Sequence, residues 1–213
     1  MEPRFFKIPT SVGDVSLRVA QGHFATRNSH TNYFIDVTSQ QSCIRDADAV
    51  AQQLSQRNLA QHLMIDTILC MDGTRVIGTC LAQKLTGGGF RSMNAGREIY
   101  VLRENVGTSG KLIFRDNARP MLEGKNVLLL LASVTTGGTV RKGIECVEYY
   151  KGNVAGIAAI YSHLKEIDGI PVVSLFDTND LHGYASYLPE ECPMCREKQE
   201  LDAVVDKYGY STL

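Results

Sequence analysis

The feature that most limits the fold is a run of five aliphatic residues, 127–131, that leads through small residues into Thr-Thr-Gly-Gly-Thr139. Five consecutive aliphatic residues predict a strand covered on both faces, as in a parallel sheet. Val140, Ile144 and Val147 follow at helical spacing. The pattern therefore predicts a buried strand, a tight turn and a helix, which is the repeating unit of α/β proteins.

The same alternation runs through most of the chain. Helical spacing over residues 46–63, with Asp46 as the N-cap, precedes a predicted strand, and a second helix is predicted over residues 76–85. The further predicted strands are residues 65–71, 98–102, 154–160 and 171–176. Strand–loop–helix units joined by right-handed crossovers imply an α/β fold with a doubly wound parallel sheet.

The end of the chain carries a separate apolar pattern, because residues 200–208 have the spacing of a short helix. Its apolar face would consist of Leu201, Val204, Val205 and Tyr208. No internal repeat, low-complexity tract or long linker interrupts the sequence, so we expect a single domain over residues 1–213.

The composition argues against several classes of protein. Apolar residues make up 44% of the chain and charged residues 21%, values typical of a globular domain. The net charge of −1, without a strongly basic stretch, argues against nucleic-acid binding. No apolar run has the length of a signal peptide or of a membrane span. We therefore expect a cytoplasmic protein with no membrane partner.

Residues 133–139 are predicted to bind phosphate. A strand that leads small residues into a helix start brings backbone N–H groups to the positive end of the helix dipole. Gly137 and Gly138 let the backbone approach an anion closely, at the strand end where open sheets bind ligands. An ordinary threonine-capped loop is the alternative interpretation. The chain lacks Gly-x-x-x-x-Gly-Lys-Ser/Thr, so the turn is not the P-loop of a nucleotide-hydrolysing enzyme.

Residues 127–139 resemble the phosphoribosyl pyrophosphate (PRPP) motif of type I phosphoribosyltransferases, which has a hydrophobic strand, two acids and a Thr/Gly loop. Other segments resemble the orotate phosphoribosyltransferases of that family. They are residues 22–33, which resemble the N-terminal substrate-side segment, Asp72-Gly73-Thr74 at the position of the pyrophosphate loop, and Cys192-Pro-Met-Cys195, which is similar to a late Cys-Pro-Leu-Cys. The resemblance covers nearly the whole chain.

This resemblance implies the type I phosphoribosyltransferase fold with a small hood and flap region. The hood corresponds to about residues 1–45, the core to about 46–180, and a C-terminal tail with the Cys-x-x-Cys to about 181–213. The family further implies Mg²⁺ as a cofactor, PRPP or a nucleoside monophosphate as the ligand, and a homodimer that shares its flaps.

The resemblance also implies a role for individual residues. The 5′-phosphate of the ribose would be held by Ser133, Thr135, Thr136, Gly137, Gly138 and Thr139. The pyrophosphate would be held by Asp72, Gly73 and Thr74, although Asp72 alone is read equally well as a helix N-cap. Arg103 and Lys111 would supply the catalytic positive charges of the flap.

The sequence departs from the family at the two acids, where Leu131 and Ala132 stand. Those carboxylates would accept hydrogen bonds from the ribose hydroxyls, worth roughly 1.5–3 kcal/mol each. In the flap, Glu104 stands where a lysine is usual, although Arg115 and Arg119 remain as cations. Two hypotheses follow. One is transfer of a phosphoribosyl group to or from a pyrimidine-like base, and the other is a catalytically inactive regulatory protein that binds a phosphate ester or nucleotide.

Cys192 and Cys195 supply half of a zinc site, because a tetrahedral structural site needs four ligands. The missing ligands would come from another subunit or from His182. A redox role for the pair is the weaker alternative, since no thioredoxin-like context surrounds it. His23 and His30 are interpreted as surface or capping histidines.

Overall fold

In the computed structural model, which describes residues 3–10, 15–27, 29–59, 63–87, 92–108, 110–206 and 208–213, the chain forms two units. The first unit consists of Met1–Ser39 and Thr178–Leu213, and the second of Gln40–Asp177. The single-domain organisation expected from the sequence stays a prediction. In the described ranges, no helix has the length and apolar character to cross a membrane.

The chain contains strands and helices throughout the described ranges. The strands are β1 (Phe5–Pro9), β2 (Ser16–Ala25), β3 (His30–Asp36), β4 (Thr67–Cys70), β5 (Tyr100–Arg103), β6 (Asn126–Val134), β7 (Asn153–Ser162), β8 (Glu166–Ile167), β9 (Ile170–Phe176), β10 (Ser186–Tyr187), β11 (Ala203–Asp206) and β12 (Gly209–Thr212). The helices are α1 (Thr38–Ser42), α2 (Ile44–Leu54), α3 (Arg75–Gly87), α4 (Gly138–Tyr149) and α5 (Pro193–Arg196). A π-helical turn, Ser55–Leu59, follows α2, and 3₁₀ turns lie at Arg119–Met121 and Pro189–Glu191.

The second unit contains a sheet in the order β5-β4-β6-β7-β9-β8. The first five strands of this order are parallel to one another, and the edge strand β8 is antiparallel to β9. Its helices cover both faces. Gly78 of α3 approaches Leu130 of β6, whereas Gly143 of α4 approaches the adjacent Leu129. Successive residues of a strand point to opposite faces, so the two helices lie on opposite sides of the sheet. The predicted doubly wound parallel sheet is confirmed.

The central strand β6 is buried over almost its whole length, as its aliphatic run predicts. A cluster of buried side chains on its α4 face includes Leu129, Leu131, Val140, Ile144 and Val147. Full burial of a leucine side chain contributes about 1.5–3 kcal/mol, so this packing holds the start of α4 close to the end of β6.

The first unit is a sheet in the order β10-β3-β2-β11-β12, with β1 paired to β2. The helix predicted for residues 200–208 is wrong, because this segment contains β11, which runs parallel to β2 with Ala203 beside Phe24. Burial in β11 alternates with a period of two, and Val204 is exposed. Pairing with β2 and β12 thus outweighs the helical spacing of the apolar residues.

Helix α2 begins earlier and ends earlier than predicted. Cys43, not Asp46, is the N-cap residue. Asp46 lies in the first turn, where its negative charge interacts favourably with the helix dipole. The predicted continuation of this helix to residue 63 includes residues 60–62, which lie outside the described ranges. Two residues of other predicted segments also lie outside them, namely Asn28 in the segment 22–33 and Ser109 in the flap.

Candidate functional site

The turn between β6 and α4, residues 133–139, is called the phosphate turn. Gly137 lies in the left-handed region with φ +79°, and α4 begins at the next residue. A side chain at Gly137 would be 3.2 Å from both Arg141 Nη1 and Ile167 Cδ1, so the position combines a glycine backbone with little space. Thr136, Gly138 and Thr139 are exposed, and Ser133 and Thr135 are half-buried.

The phosphate turn leads directly into the helix, as the sequence predicts. The first amide to donate back along α4 is that of Arg141, to the Gly137 carbonyl at 3.0 Å. The N–H groups of the preceding residues therefore open toward the helix N-terminus, where the helix dipole favours an anion. The exposed threonine hydroxyls add donors, so the turn has the chemistry of a phosphate site.

Arg141 is a functional candidate that the sequence interpretation missed. Its Nη1 donates to the Thr136 carbonyl at 3.3 Å, and its Nε lies 3.4 Å from a carboxylate oxygen of Asp168. The guanidinium therefore places a positive charge beside the phosphate turn. The available signal was its position, four residues after Gly137 and so one helical turn into α4.

The Asp72-Gly73-Thr74 segment forms a turn in which Asp72 and Gly73 both have positive φ, +51° and +80°. Thr74 is fully buried, and its Oγ1 lies 2.8 Å from the Met71 carbonyl and 2.9 Å from the Leu130 carbonyl. The Thr74 hydroxyl is therefore used in holding the turn against β6. Only Asp72 and Gly73 of the predicted pyrophosphate loop have exposed surface.

Asp72 is not the N-cap of α3. The helix begins at Arg75, and the Gly78 amide donates to the Thr74 carbonyl at 2.8 Å, so Thr74 precedes the first turn. The Asp72 amide instead donates to a carboxylate oxygen of Glu104 at 3.2 Å. The Glu104 carboxylate thus already accepts the hydrogen bond that the Asp72 amide would otherwise donate to an anion at this turn.

The two turns lie at the same edge of the sheet. Strands β4 and β6 are parallel neighbours with Cys70 beside Leu130, so their carboxyl ends, and the turns that follow them, lie together. Arg103 is the last residue of β5 and pairs with Cys70, which places it at this edge too. These predicted site residues come from separate parts of the sequence and are gathered by the parallel pairing.

Lys111 lies in a hairpin that follows β5, closed by a bridge between Val106 and Leu112. The Gly107 amide donates to the Lys111 carbonyl at 2.8 Å, and the Lys111 side chain is exposed. The Tyr150 hydroxyl anchors the hairpin, because it accepts from the Phe114 amide at 2.8 Å and donates to the Phe114 carbonyl at 2.9 Å.

Leu131 and Ala132 provide no carboxylate at the carboxyl end of β6. Leu131 is 0% exposed within the apolar cluster around α4, and Ala132 is 6% exposed. Mg²⁺ is normally bound through one or two carboxylates together with substrate phosphates. The side chains present at this position do not fit a magnesium ion.

A second group of candidate ligands lies in the first unit, where His23, His30, Cys192 and Cys195 have their ligand atoms within 4.8 Å of one another. The predicted pair Cys192 and Cys195 is thus joined by His23 and His30 from the same chain, and the group does not include His182. His23 and Cys192 are buried, and burial, followed by the neighbouring His23, lowers the pKa of His30.

Comparison with known proteins gives a consistent set of relatives. The chain is 32% identical over 142 residues to the orotate phosphoribosyltransferase of Caldicellulosiruptor bescii, covering 66% of this chain and 67% of that protein. It is 27% identical over 186 residues to the orotate phosphoribosyltransferase of Thermoanaerobacter sp. (strain X514), covering 84% of this chain and 86% of that protein. No protein-family model matches the chain.

Solved structures show the same fold at low sequence identity. The Leishmania donovani UMP synthase superposes with a TM-score of 0.55 at 14% identity, covering 76% of this chain and 34% of that one. The Mycobacterium tuberculosis orotate phosphoribosyltransferase, in complex with Fe(III) dicitrate, superposes with a TM-score of 0.52 at 14% identity, covering 78% of this chain and 93% of that one.

Proposed function

The chain belongs to the orotate phosphoribosyltransferase family, and from this we propose that it binds a ribose 5-phosphate compound and transfers the phosphoribosyl group to or from a pyrimidine-like base. The observation that carries the proposal is the phosphate turn. It joins the carboxyl end of the central strand to a helix start, with exposed threonines and a left-handed Gly137.

In this proposal the 5′-phosphate accepts hydrogen bonds from the amides of residues 135–139 and from the hydroxyls of Ser133 and Thr139. Each hydrogen bond to a charged group contributes about 1.5–3 kcal/mol, and the helix dipole adds about 0.3–1 kcal/mol. Arg141 adds a positive charge next to the turn. A phosphate monoester therefore supplies most of the binding free energy.

The leaving or entering group would lie beside Asp72 and Gly73, at the edge where Arg103 also ends its strand. The Arg103 guanidinium, together with Lys111 from the hairpin, would stabilise negative charge that develops on a departing group. Thr74 holds the turn rather than the ligand, since both of its hydroxyl contacts are to backbone carbonyls.

The ribose hydroxyls find no carboxylate partner at Leu131 or Ala132. We therefore expect PRPP to gain little affinity from its ribose ring, and we expect phosphate binding at the turn to be independent of Mg²⁺. Because Leu131 and Ala132 are buried, an altered ribose, or a ribose whose hydroxyls stay hydrated, fits this position better than an ordinary ribose held by two charged hydrogen bonds.

A second candidate function is a catalytically inactive protein that binds a nucleotide or phosphate ester on the same fold. Two observations favour it. The acids are replaced by Leu131 and Ala132, and the Glu104 carboxylate accepts from the Asp72 amide on the pyrophosphate side. The first change removes the expected partners of the ribose hydroxyls, the second competes for an amide on the pyrophosphate side, and both leave the phosphate turn intact.

Calorimetry tests the binding proposal, with ribose 5-phosphate, PRPP, orotidine 5′-phosphate and unphosphorylated ribose as ligands, each with Mg²⁺ and with EDTA. We expect the three phosphorylated compounds to bind and ribose to show no heat. Equal binding of ribose and ribose 5-phosphate, or no binding of either, would contradict the proposal.

A coupled assay for pyrophosphate separates the two functions. Incubation with PRPP and orotate releases pyrophosphate if the chain is a transferase for this base, and other pyrimidines extend the same assay. Binding of phosphorylated ligands without release from any pyrimidine would favour the inactive protein. We further propose a homodimer in the cytoplasm by analogy with the family, and light scattering of the purified chain tests the homodimer through its molar mass.

A further inference from the structure

We propose that the first unit binds one structural Zn²⁺ ion through His23, His30, Cys192 and Cys195. The ligand atoms are His23 Nε2, His30 Nδ1 and the two cysteine sulfurs, which lie within 4.8 Å of one another. Two thiolates and two imidazoles are a common ligand set for structural zinc, which prefers four ligands in a tetrahedron. The site belongs to the first unit, whereas the phosphate turn belongs to the second, and it takes part in no step of the proposed reaction.

Four of the six distances between the ligand atoms lie within about 0.3 Å of those in a zinc tetrahedron, and all six are within 4.8 Å. Zinc–sulfur bonds of about 2.3 Å and zinc–nitrogen bonds of about 2.0–2.1 Å place sulfur and nitrogen about 3.5 Å apart, and two nitrogens about 3.3 Å apart. Here His23 Nε2 lies 3.5 Å from Cys192 Sγ and 3.6 Å from Cys195 Sγ. His30 Nδ1 lies 3.2 Å from Cys195 Sγ and 3.0 Å from His23 Nε2.

The protein orients His23 for metal binding. Its Nδ1 lies 3.0 Å from the Gln199 carbonyl, which can only accept, so Nδ1 carries the hydrogen and the Nε2 lone pair faces the cluster. A hydrogen bond from the second ring nitrogen to a backbone carbonyl is the usual outer-shell arrangement of zinc-bound histidines. The buried His23 Nε2 lies within 3.6 Å of His30 Nδ1 and of both cysteine sulfurs, so one zinc ion would coordinate all four atoms in place of these direct contacts.

The backbone around the cluster is also fixed. Cys192 precedes α5, and the Arg196 amide donates to the Cys192 carbonyl at 3.2 Å, which folds the Cys-x-x-Cys into a tight turn. On the other side, the His23 amide donates to the Asp202 carboxylate at 2.7 Å, and the Asp202 amide donates to the His23 carbonyl at 2.8 Å. Both ligand-bearing segments are therefore held in place before a metal arrives.

The position of the cluster explains what the ion would do. His23 and His30 lie on β2 and β3, whereas the cysteines lie about 170 residues later in the chain, with a separation of 169 residues between His23 and Cys192. A metal that joins them closes a long loop of the unfolded chain, which stabilises the folded state as a cross-link does. Zinc would therefore hold the C-terminal segment against the β2–β3 hairpin.

Metal analysis of the purified 213-residue chain tests the proposal. We expect about one zinc per chain by mass spectrometry after dialysis against metal-free buffer. Replacement of zinc by Co²⁺ should give the thiolate charge-transfer and ligand-field absorption of a tetrahedral cobalt site. The zinc content and the cobalt spectrum are both measured on the unmutated chain and require no enzymatic activity. The test therefore stays valid even if the proposed phosphoribosyl transfer is wrong.

Cys195→Ser removes one ligand at an exposed position and should lower zinc affinity at least tenfold, with loss of cobalt–thiolate absorption. Cys43→Ser and His182→Ala are matched controls outside the cluster and should retain the wild-type metal content. A wild-type chain that contains no zinc and shows no cobalt–thiolate absorption after reconstitution would overturn the proposal. So would a Cys192–Cys195 disulfide in the chain as isolated from cells, since it would indicate the redox role.

Discussion

At the scale of single residues, the site depends on backbone conformations that few side chains permit. Gly137 and Asp72 both lie at positive φ, in the turns that follow β6 and β4. In the first turn the left-handed backbone favours a glycine, and a Cβ atom there would lie 3.2 Å from Arg141 Nη1 and from Ile167 Cδ1, two side-chain ends that would have to move slightly. The second turn tolerates an aspartate, a residue that visits this region more readily than most.

Gly137→Ala should destabilise the chain by about 1–3 kcal/mol and abolish binding of ribose 5-phosphate, because alanine at φ +79° is strained and displaces the phosphate turn. Gly138→Ala is the control for stability alone, since its Cβ would meet only Thr136 Oγ1 at 3.9 Å. Denaturation should show a change within about 0.5 kcal/mol for the control. An equal loss of stability in Gly137→Ala and Gly138→Ala would mean that the conformation of Gly137 has no special role.

Glu104→Gln should raise the affinity for pyrophosphate about fivefold, because it removes a negative charge beside the Asp72 amide that is worth about 1 kcal/mol near the surface. Glu98→Gln, at an exposed position just before β5, is the control and should change the affinity less than twofold. Calorimetry with pyrophosphate measures both. A weaker affinity in Glu104→Gln would show that this carboxylate supports the turn.

At the scale of elements, side chains at the strand ends fix how neighbouring strands align. Asp66, just before β4, accepts from the Asn126 amide at 2.9 Å and from Arg97 at 2.6 Å. Burial alone would raise the pKa of Asp66, but these contacts with Asn126 and Arg97 outweigh it and lower the pKa below 3.8. This contact joins the starts of β4 and β6, whose far ends carry the two turns of the site.

Asp66→Asn should cost about 1–3 kcal/mol at pH 7, since it removes a charged acceptor of several hydrogen bonds. The pKa of Asp66 is lower in the folded state than its ordinary value of 3.8. Its contribution to stability is therefore fully present above pH 3.8 and is lost as the pH falls through the pKa of the folded state. Urea denaturation at several pH values measures this, and the variant should lose that part of the acid dependence. Asp48→Asn, which breaks a surface pair with Lys84, should cost less than about 1 kcal/mol.

Tyr150→Phe should loosen the hairpin that carries Lys111, because it leaves the amide of the buried Phe114 without its hydroxyl partner. We expect a loss of about 1–3 kcal/mol and faster amide exchange at residues 105–114. Tyr149→Phe is a matched control, since Tyr149 is 78% exposed. Unchanged exchange in Tyr150→Phe would show that apolar packing alone holds the hairpin.

At the scale of the whole molecule, the proposed binding sites for phosphate and for zinc lie in different units. The phosphate turn lies in Gln40–Asp177, and the His/Cys cluster lies in the unit built from both ends of the chain. Because its strands come from both ends, the first unit depends on long-range pairing such as that of β11 with β2. A metal contributes most where the chain segments to be joined are far apart in sequence.

Hydrogen exchange measured by mass spectrometry should separate the two sites. Ribose 5-phosphate should protect amides at residues 133–141, whereas removal of zinc by a chelator should speed exchange at residues 22–30 and 192–199. Inorganic sulfate serves as a weak anion control for the phosphate turn. Protection by ribose 5-phosphate that is confined to the first unit would contradict the assignment of the phosphate turn.

The sequence alone determined the part of the fold that depends on local pattern. The aliphatic run, the Thr-Thr-Gly-Gly-Thr turn and the helical spacing after it predicted β6, the phosphate turn and α4, because each choice is made within a few neighbouring residues. The parallel pairing of β4, β6 and β7 agrees with the sheet of strand–helix crossover units that the sequence predicts, whereas their order in the sheet comes from the structure.

Tertiary structure alone decided the rest, since it depends on partners distant in the sequence. Residues 203–206 have helical spacing with their neighbours, yet β2 and β12 supply backbone partners that make them a strand. His23 and His30 carry no local sign of metal binding, and only the sheet of the first unit brings them to Cys192 and Cys195. Local propensity is worth tenths of a kcal/mol per residue, so long-range pairing and burial outweigh it wherever the two disagree.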